Sequence, residues 1–393
     1  MTVHMNLFVT FVHDDAGGRR NIANGFSFVR HLVGGVDIFL MDATKPERIR
    51  DAIQRIRHPI DRIFCSISVL SQLRTLRPIL DERWVLGGPA ACLAFGKIDL
   101  PCELVTTTFE NYLGIDQLSS TFSFYFERHV TSRHITSYGF NCSLGMGCYW
   151  NRCAFCSYND YYADGRSTMV NRPNIPDILG NLRVVPVSEA LVRLCASAFS
   201  PKVLAEILDT PVREGILLNL FSRADPAILS VVERYGRFNK GTLWGIGLET
   251  LSQGAMRRLN KGQDVDNVLK LSEMILARGG RVSLSIMDHF PFMTREMAEE
   301  GRRAAQTLKR LVARYGRRIA ISNNGITRWY SKRVVEEMAE AYRQRTDGIR
   351  TWYEAVIDPG SEAFLANRTV SQAIVDSGVH VKRNGFVSLA STT

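Results

Sequence analysis

The sequence predicts an α/β chain: an N-terminal doubly wound, Rossmann-like sheet, then a partial (β/α)6 TIM-type barrel, then a C-terminal cap. Three observations predict this. Short apolar runs alternate with amphipathic helical stretches through residues 1–125. The alternation continues with longer units through residues 126–330. Residues 331–393 hold one more helical stretch, VVEEMAEAYRQR, and then no clear pattern. Strands that alternate with helices argue for parallel sheets covered by helices.

In the first region NLFVTFV, VDIFLM, RIFCSIS and RWVLGG read as strands. Between them PERIRDAIQRI places Ile49, Ile53 and Ile56 on one helical face, with Pro46 suited to a first turn. In the second region the expected strands are HITSY (134–138), RVVPV (183–187), ILLNLF (216–221), TLWGIGL (242–248), RVSLSIM (281–287) and RIAIS (318–322). Ser200 followed by Pro201, and Asp225 followed by Pro226, read as helix starts. Gly279 and Gly280 read as the stop of VDNVLKLSEMILA. In such a sheet, chemistry belongs at the C-terminal ends of the strands.

Composition narrows the class. The 393 residues are 45% hydrophobic and 22% charged, ordinary values for a globular chain. No apolar run is long enough to span a bilayer, and MTVHMNLFVTFVHDD does not read as a signal segment, so a cytoplasmic protein with no membrane partner is expected. The net charge is +10, with pI ≈ 9.3. Its Lys and Arg residues are interspersed with acids along helices such as KPERIRDAIQRIR, which argues for solvated faces rather than a nucleic-acid groove. A negatively charged small substrate would use the surplus equally well.

The most informative stretch is GCYWNRCAFCSYN, where Cys148, Cys153 and Cys156 are separated by four residues and then two. Three thiolates suit an iron–sulfur cube with one iron left open to a small molecule. Gly145 and Gly147 would let the backbone wrap closely. A zinc site recruiting Cys142 as a fourth ligand is the alternative, although only one CxxC pair is present.

This CxxxxCxxC loop, with an aromatic just before its last cysteine and βα units around it, resembles the radical S-adenosylmethionine (SAM) superfamily. The usual spacing there is CxxxCxxC, one residue shorter between the first two cysteines. LWGIGLETLSQGAMRRLNKGQ is similar to the glycine–glutamate strand and KG turn of members that carry an N-terminal cobalamin-binding domain. VVPVSEALV, NLFSRADP and RVSLSIMDHFP resemble further strand ends, so the likeness covers about residues 130–330.

The resemblance implies a 4Fe-4S cluster on Cys148, Cys153 and Cys156, with SAM on the open iron. It places Phe155 beside the adenine, Ser188 and Glu189 near the SAM amino group, and Ser222 and Arg223 near its ribose or carboxylate. Glu249 follows the apolar run LWGIGL, where an unpaired carboxylate is expensive, and a SAM-site role is favoured over a structural ion pair. Tyr158, Tyr161, Tyr162, Trp329, Tyr330, Trp352 and Tyr353 are substrate-lining or core aromatics. Asn323, Asn324 and His289 are weaker substrate contacts.

RWVLGGPAACLAFG resembles the last part of a cobalamin-binding domain, yet the DxHxxG signature is missing; HDDAGG at 13–18 has the wrong order. The reading therefore favours a domain without bound cobalamin that still packs against the barrel. Cys65, Cys92 and Cys102 are read as buried inert thiols rather than as a second cluster site. The expected function is a radical SAM enzyme acting on a small-molecule or natural-product substrate, fed by an external one-electron reductant. The alternatives are cobalamin-dependent methylation, transfer of an aminocarboxypropyl group, and a non-catalytic zinc protein.

Overall fold

The computed structural model describes residues 5–14, 20–22, 37–42, 46–57, 59–67, 70–96, 98–106, 109–112, 139–143, 148–150, 152–154, 156, 190–195, 198–212, 214–235, 241–287, 290, 292–323 and 360–383. They form a mixed α/β structure with two sheets. In the first, β1 (Met5–Asp14), β3 (Asp37–Asp42), β4 (Ile60–Ser66), β5 (Trp84–Gly87) and β6 (Glu103–Leu104) run parallel in the order β3-β1-β4-β5-β6, and β2 (Arg20–Ile22) lies antiparallel to β1. The apolar runs become strands because both faces are covered: Leu7, Val9, Ile63, Cys65, Trp84 and Leu86 are buried on one face, and Phe64 and Val85 on the other.

The second sheet has seven parallel strands in chain order: β7 (Gly139–Ser143), β8 (Ala190–Cys195), β9 (Ile216–Ser222), β10 (Leu243–Glu249), β11 (Arg281–Ile286), β12 (Ile319–Asn323) and β13 (His380–Arg383). Their side chains alternate. Leu218, Leu220, Trp244, Ile246, Leu284 and Ile321 are buried in the main core. The residues between them are small or polar, among them Asn219, Gly245, Gly247, Ser283, Ser285 and Ser322.

The helices of this half start where their caps say. Ser200 Oγ accepts from the Val203 N–H ahead of helix Pro201–Asp209, and the Asp225 carboxylate accepts from the Ile228 N–H ahead of helix Pro226–Arg234. Helix Val265–Ala277 ends with Gly279 at φ +90, a left-handed position that glycine takes without strain. Leu284→Ala, at the fully buried centre of β11, is expected to destabilise the fold by about 2–5 kcal/mol, read as a lower urea midpoint at unchanged slope.

One strand expectation changes, and two fall on residues that are not described. HITSY and RVVPV lie outside the described residues, and the strands beside them are 139–143 and 190–195. The change is β13, which pairs with β12 from within the region expected to be a patternless cap. Helix Glu362–Asp376 precedes it and packs against helix Arg295–Tyr315. VVEEMAEAYRQR lies outside the described residues. Among the described residues no helix is long and apolar enough to cross a membrane.

Candidate metal and cofactor site

Because β7–β13 are parallel, their C-terminal ends share one edge. The pairs Ile246 with Ser222, and Glu249 with Ile286, set the ends of β9, β10 and β11 side by side. The cysteine loop lies along this edge. Cys148 forms a parallel bridge with Ala198, just past the end of β8. Further along, the Ala154 N–H donates to the Leu259 carbonyl at 2.9 Å, beyond the end of β10. Between these anchors the Cys156 N–H donates to the Cys153 carbonyl at 3.2 Å, which turns the CxxC pair back on itself. The loop thus runs from the end of β8 to beyond the end of β10, with β9 between them in the sheet.

The residues 259–263, LNKGQ, touch almost every part of this edge. Asn260 Nδ2 donates to the Arg152 carbonyl at 2.8 Å, and Trp150 Nε1 donates to the Asn260 carbonyl at 2.9 Å. Lys261 Nζ donates to Glu249 Oε1 at 2.8 Å. Arg223 Nη2 donates to the carbonyls of Lys261 and Gly262. Gln263 accepts from the Ala224 N–H at 3.1 Å and donates to the Gly247 carbonyl at 2.6 Å. The turn is possible because Asn260 (φ +51) and Gly262 (φ +62) are left-handed, the conformation that asparagine and glycine tolerate best.

The electrostatics centre on two buried cations. Arg223 is 3% exposed, with its guanidinium 4.6 Å from the Trp150 ring centroid and 5.8 Å from that of Tyr149. Its Nε faces the Asp225 carboxylate at 3.5 Å, and its Nη1 has no hydrogen-bond partner among the described residues. Asp225 also accepts a hydrogen bond from the Tyr149 hydroxyl. Burial, then that carboxylate, hold the Tyr149 phenol protonated far above its ordinary range. Lys261 is buried against Glu249, and burial pushes the Cys153 thiol up against the pull of Lys261 and Arg223. Glu249 itself has φ +63, a strained position for a residue with a Cβ.

The structure therefore brings together Cys148, Cys153, Cys156, Ser222, Arg223 and Glu249 on one edge. Ser222 is buried, and its hydroxyl donates to the Arg223 carbonyl at 2.9 Å. Glu249 has the ion pair that the sequence reading ranked second. Phe155, Ser188 and Glu189 lie outside the described residues. So do His289, Asn324 and the seven candidate aromatics, while Asn323 is described only in its backbone. Ser188 and Glu189 precede β8, so the C-terminal end of that strand falls at Cys195, not at them.

Sequence reasoning missed Tyr149, Trp150, Asp225, Asn260, Lys261 and Gln263. The signals were LNKGQ, whose Asn and Gly mark a turn, and its likeness to a family KG turn; neither says what the turn touches.

Among the described residues no three His, Cys, Asp or Glu side chains converge as ligands of a single ion would. None of the described cysteines, which include Cys148, Cys153 and Cys156, is in a disulfide. In the first sheet Cys65 is buried, and burial pushes its thiol up beyond ordinary titration. The Cys102 thiol is pushed up to about 11, by burial first and then by Asp81. The side chain of Cys92 is not among those described.

No family model and no curated protein matches this sequence. Solved structures do. The cobalamin-dependent S-adenosylmethionine radical enzyme OxsB superposes with a TM-score of 0.52 at 12% identity, over 85% of this chain and 55% of that one. OxsB with aqua-cobalamin and S-adenosylmethionine bound gives 0.51 at 12% identity, over 86% and 55%. The radical S-adenosylmethionine methyltransferase TsrM from Kitasatospora setae, with cobalamin and a 4Fe-4S cluster bound, gives 0.50 at 11% identity, over 82% and 74%. These similarities establish a fold shared with radical SAM enzymes. The chain spans about 55% of the length of OxsB.

Proposed function

We propose that this protein is a radical SAM enzyme that holds a 4Fe-4S cluster through Cys148, Cys153 and Cys156, binds SAM beside it and acts on a small-molecule substrate. The observation that carries this reading is the cysteine loop laid along the C-terminal edge of a parallel sheet, next to a buried arginine with an unused donor. The fit is chemical as well as positional. Each thiolate of a cube binds its own iron, so the three sulfurs need not converge on one point. A buried, unpartnered guanidinium N–H is costly unless an acceptor arrives, and the carboxylate of SAM is such an acceptor.

With both groups bound, the cluster would supply the electron that breaks a C–S bond of SAM and so releases a 5′-deoxyadenosyl radical. The chain's own work is orientation. Arg223, stacked on Trp150 and beside Asp225, would offer Nη1 to the carboxylate. Lys261 holds the Glu249 carboxylate at the strand end, where polar groups of SAM would meet it. The electron comes from an external one-electron reductant.

The same reading takes residues 1–125 as a doubly wound sheet, residues 126–330 as a partial barrel, and residues 331–393 as its C-terminal completion. The parallel order of the first sheet is that of flavodoxin-like sheets, which supports the first assignment. Cobalamin finds less support. DxHxxG is absent, and Gly87, the first glycine of GGPA, serves internal packing: a Cβ there would stand 2.7 Å from the Phe109 ring. Cobalamin-dependent methylation remains the second reading because the fold is shared with OxsB and TsrM.

Anaerobic reconstitution with iron and sulfide, then reduction in the presence of SAM and chromatography, tests the proposal. A brown protein that releases 5′-deoxyadenosine is expected. Methylthioadenosine in its place would point to aminocarboxypropyl transfer. Stoichiometric zinc with no SAM cleavage would sink the radical reading. Aqua-cobalamin added to the same sample separates the two radical readings by its spectrum.

A further inference from the structure

We infer that the turn 259–263 is the template that shapes the cysteine loop for its cluster, with Trp150 and Asn260 as the positioning residues; this rests on the cluster reading above. A loop that must adopt one shape to offer three thiolates loses conformational entropy when it binds, unless something orders it beforehand. Here the ordering groups belong to the chain itself. Trp150 Nε1 donates to the Asn260 carbonyl at 2.9 Å while Asn260 Nδ2 donates to the Arg152 carbonyl at 2.8 Å, so a single residue grips the loop in both directions. The Ala154 N–H adds a third bond, to Leu259. Trp150 and Arg152 belong to the four-residue spacer between Cys148 and Cys153, and the latch acts on the span that sets the distance between those two cysteines.

The geometry leaves little freedom. The indole lies on the bare α-carbon of Gly262, where a Cβ would come within 2.0 Å of Trp150 Cζ2. Arg223 is also stacked on the indole, at 4.6 Å. Asn260 is exposed and left-handed, a conformation in which its amide and its carbonyl both reach the loop. Tight packing of a long-range contact by an exposed polar residue has little value for the core. Its consequence is the shape of the loop.

The test uses the full chain, reconstituted anaerobically, as wild type, Trp150→Phe and Asn260→Gly. Phenylalanine keeps a ring over Gly262 and removes the donor. Glycine keeps the left-handed backbone and removes the amide. Neither position is fully buried, and thermal unfolding of the metal-free variants checks that both fold. Each variant is expected to lose iron to a chelator about tenfold faster than wild type, the effect of one lost hydrogen bond. The electron paramagnetic resonance signal of the reduced cluster should broaden as the cysteines sample more than one arrangement. Wild-type release rates and an unchanged signal in both variants would overturn the template. A wild-type protein that takes up no cluster would instead overturn the functional reading on which it rests.

Discussion

Cys153→Ala is expected to yield a protein that folds, binds little iron and cleaves no SAM. The loss of 5′-deoxyadenosine formation should exceed the roughly 100-fold that removing an outer-shell partner of a metal site costs. Cys153 is the most enclosed of the three loop cysteines, 7% exposed, in the core below Leu259 and facing Lys261 and Arg223. Removing its sulfur leaves a small cavity, while Lys261 keeps its pair with Glu249 and Arg223 its pair with Asp225. Cys156→Ala, at a half-buried position, guards against a trivial packing effect and should lose iron equally. Cys65→Ala is the control: that thiol is buried in the first sheet, and iron content should not change. Iron and sulfide per chain, with chromatography of SAM products, read all three. A full iron complement in Cys153→Ala would remove the cluster from this loop.

Lys261→Met should be the most destabilising substitution at the site. The Lys261–Glu249 pair is buried, with both side chains 9% exposed and 2.8 Å between Nζ and Oε1. Methionine would leave the carboxylate enclosed without its counter-charge, which costs about 3–5 kcal/mol in buried pairs. Glu249→Leu combined with Lys261→Met should recover much of that stability, because a buried pair replaced by apolar groups is often nearly neutral. SAM cleavage should stay low in the double variant if the pair orients the cofactor, and should return if its role is structural alone.

The pH dependence has a definite sign. Burial alone would lower the Lys261 pKa, but the Glu249 carboxylate and then the Cys153 thiolate outweigh it and hold the group above the ordinary lysine value. The contribution of Lys261 is therefore complete below about pH 10.4 and is lost as pH rises through the folded-state value. Denaturant midpoints from neutral to strongly alkaline pH should fall in the wild type, and less steeply in Lys261→Met.

How much was legible in the sequence follows from how local each cause is. Ser200–Pro201 and Asp225–Pro226 announced their helices because a cap acts within three or four residues of itself. ILLNLF, LWGIGL and RVSLSI announced strands because apolar alternation is carried by the segment alone. The cysteine spacing named candidate ligands because three thiols in nine residues have few other uses. RVVPV lies outside the described residues.

Other features had no local cause. GFNCS, rich in poor strand formers, becomes β7 only because β8 offers it a ladder, from Gly139 opposite Leu191 to Ser143 opposite Cys195. HVKR becomes β13 only beside β12. LNKGQ showed in the chain as a turn in a family-like segment, without the partners it meets. That its residues meet Trp150, Arg152, Arg223, Glu249 and Gly247 depended on β8, β9 and β10 ending at one edge.

By itself, then, the sequence determined the alternation of strands and helices, the helix starts at Pro46, Pro201 and Pro226, and the presence of a three-thiol loop. These rest on side-chain pattern and short-range hydrogen bonding. Only the tertiary structure decided which strands flank the loop, which cations face it and which turn holds it. Those partners lie up to 110 residues away along the chain, and contacts of that range are set by the packing of the whole sheet.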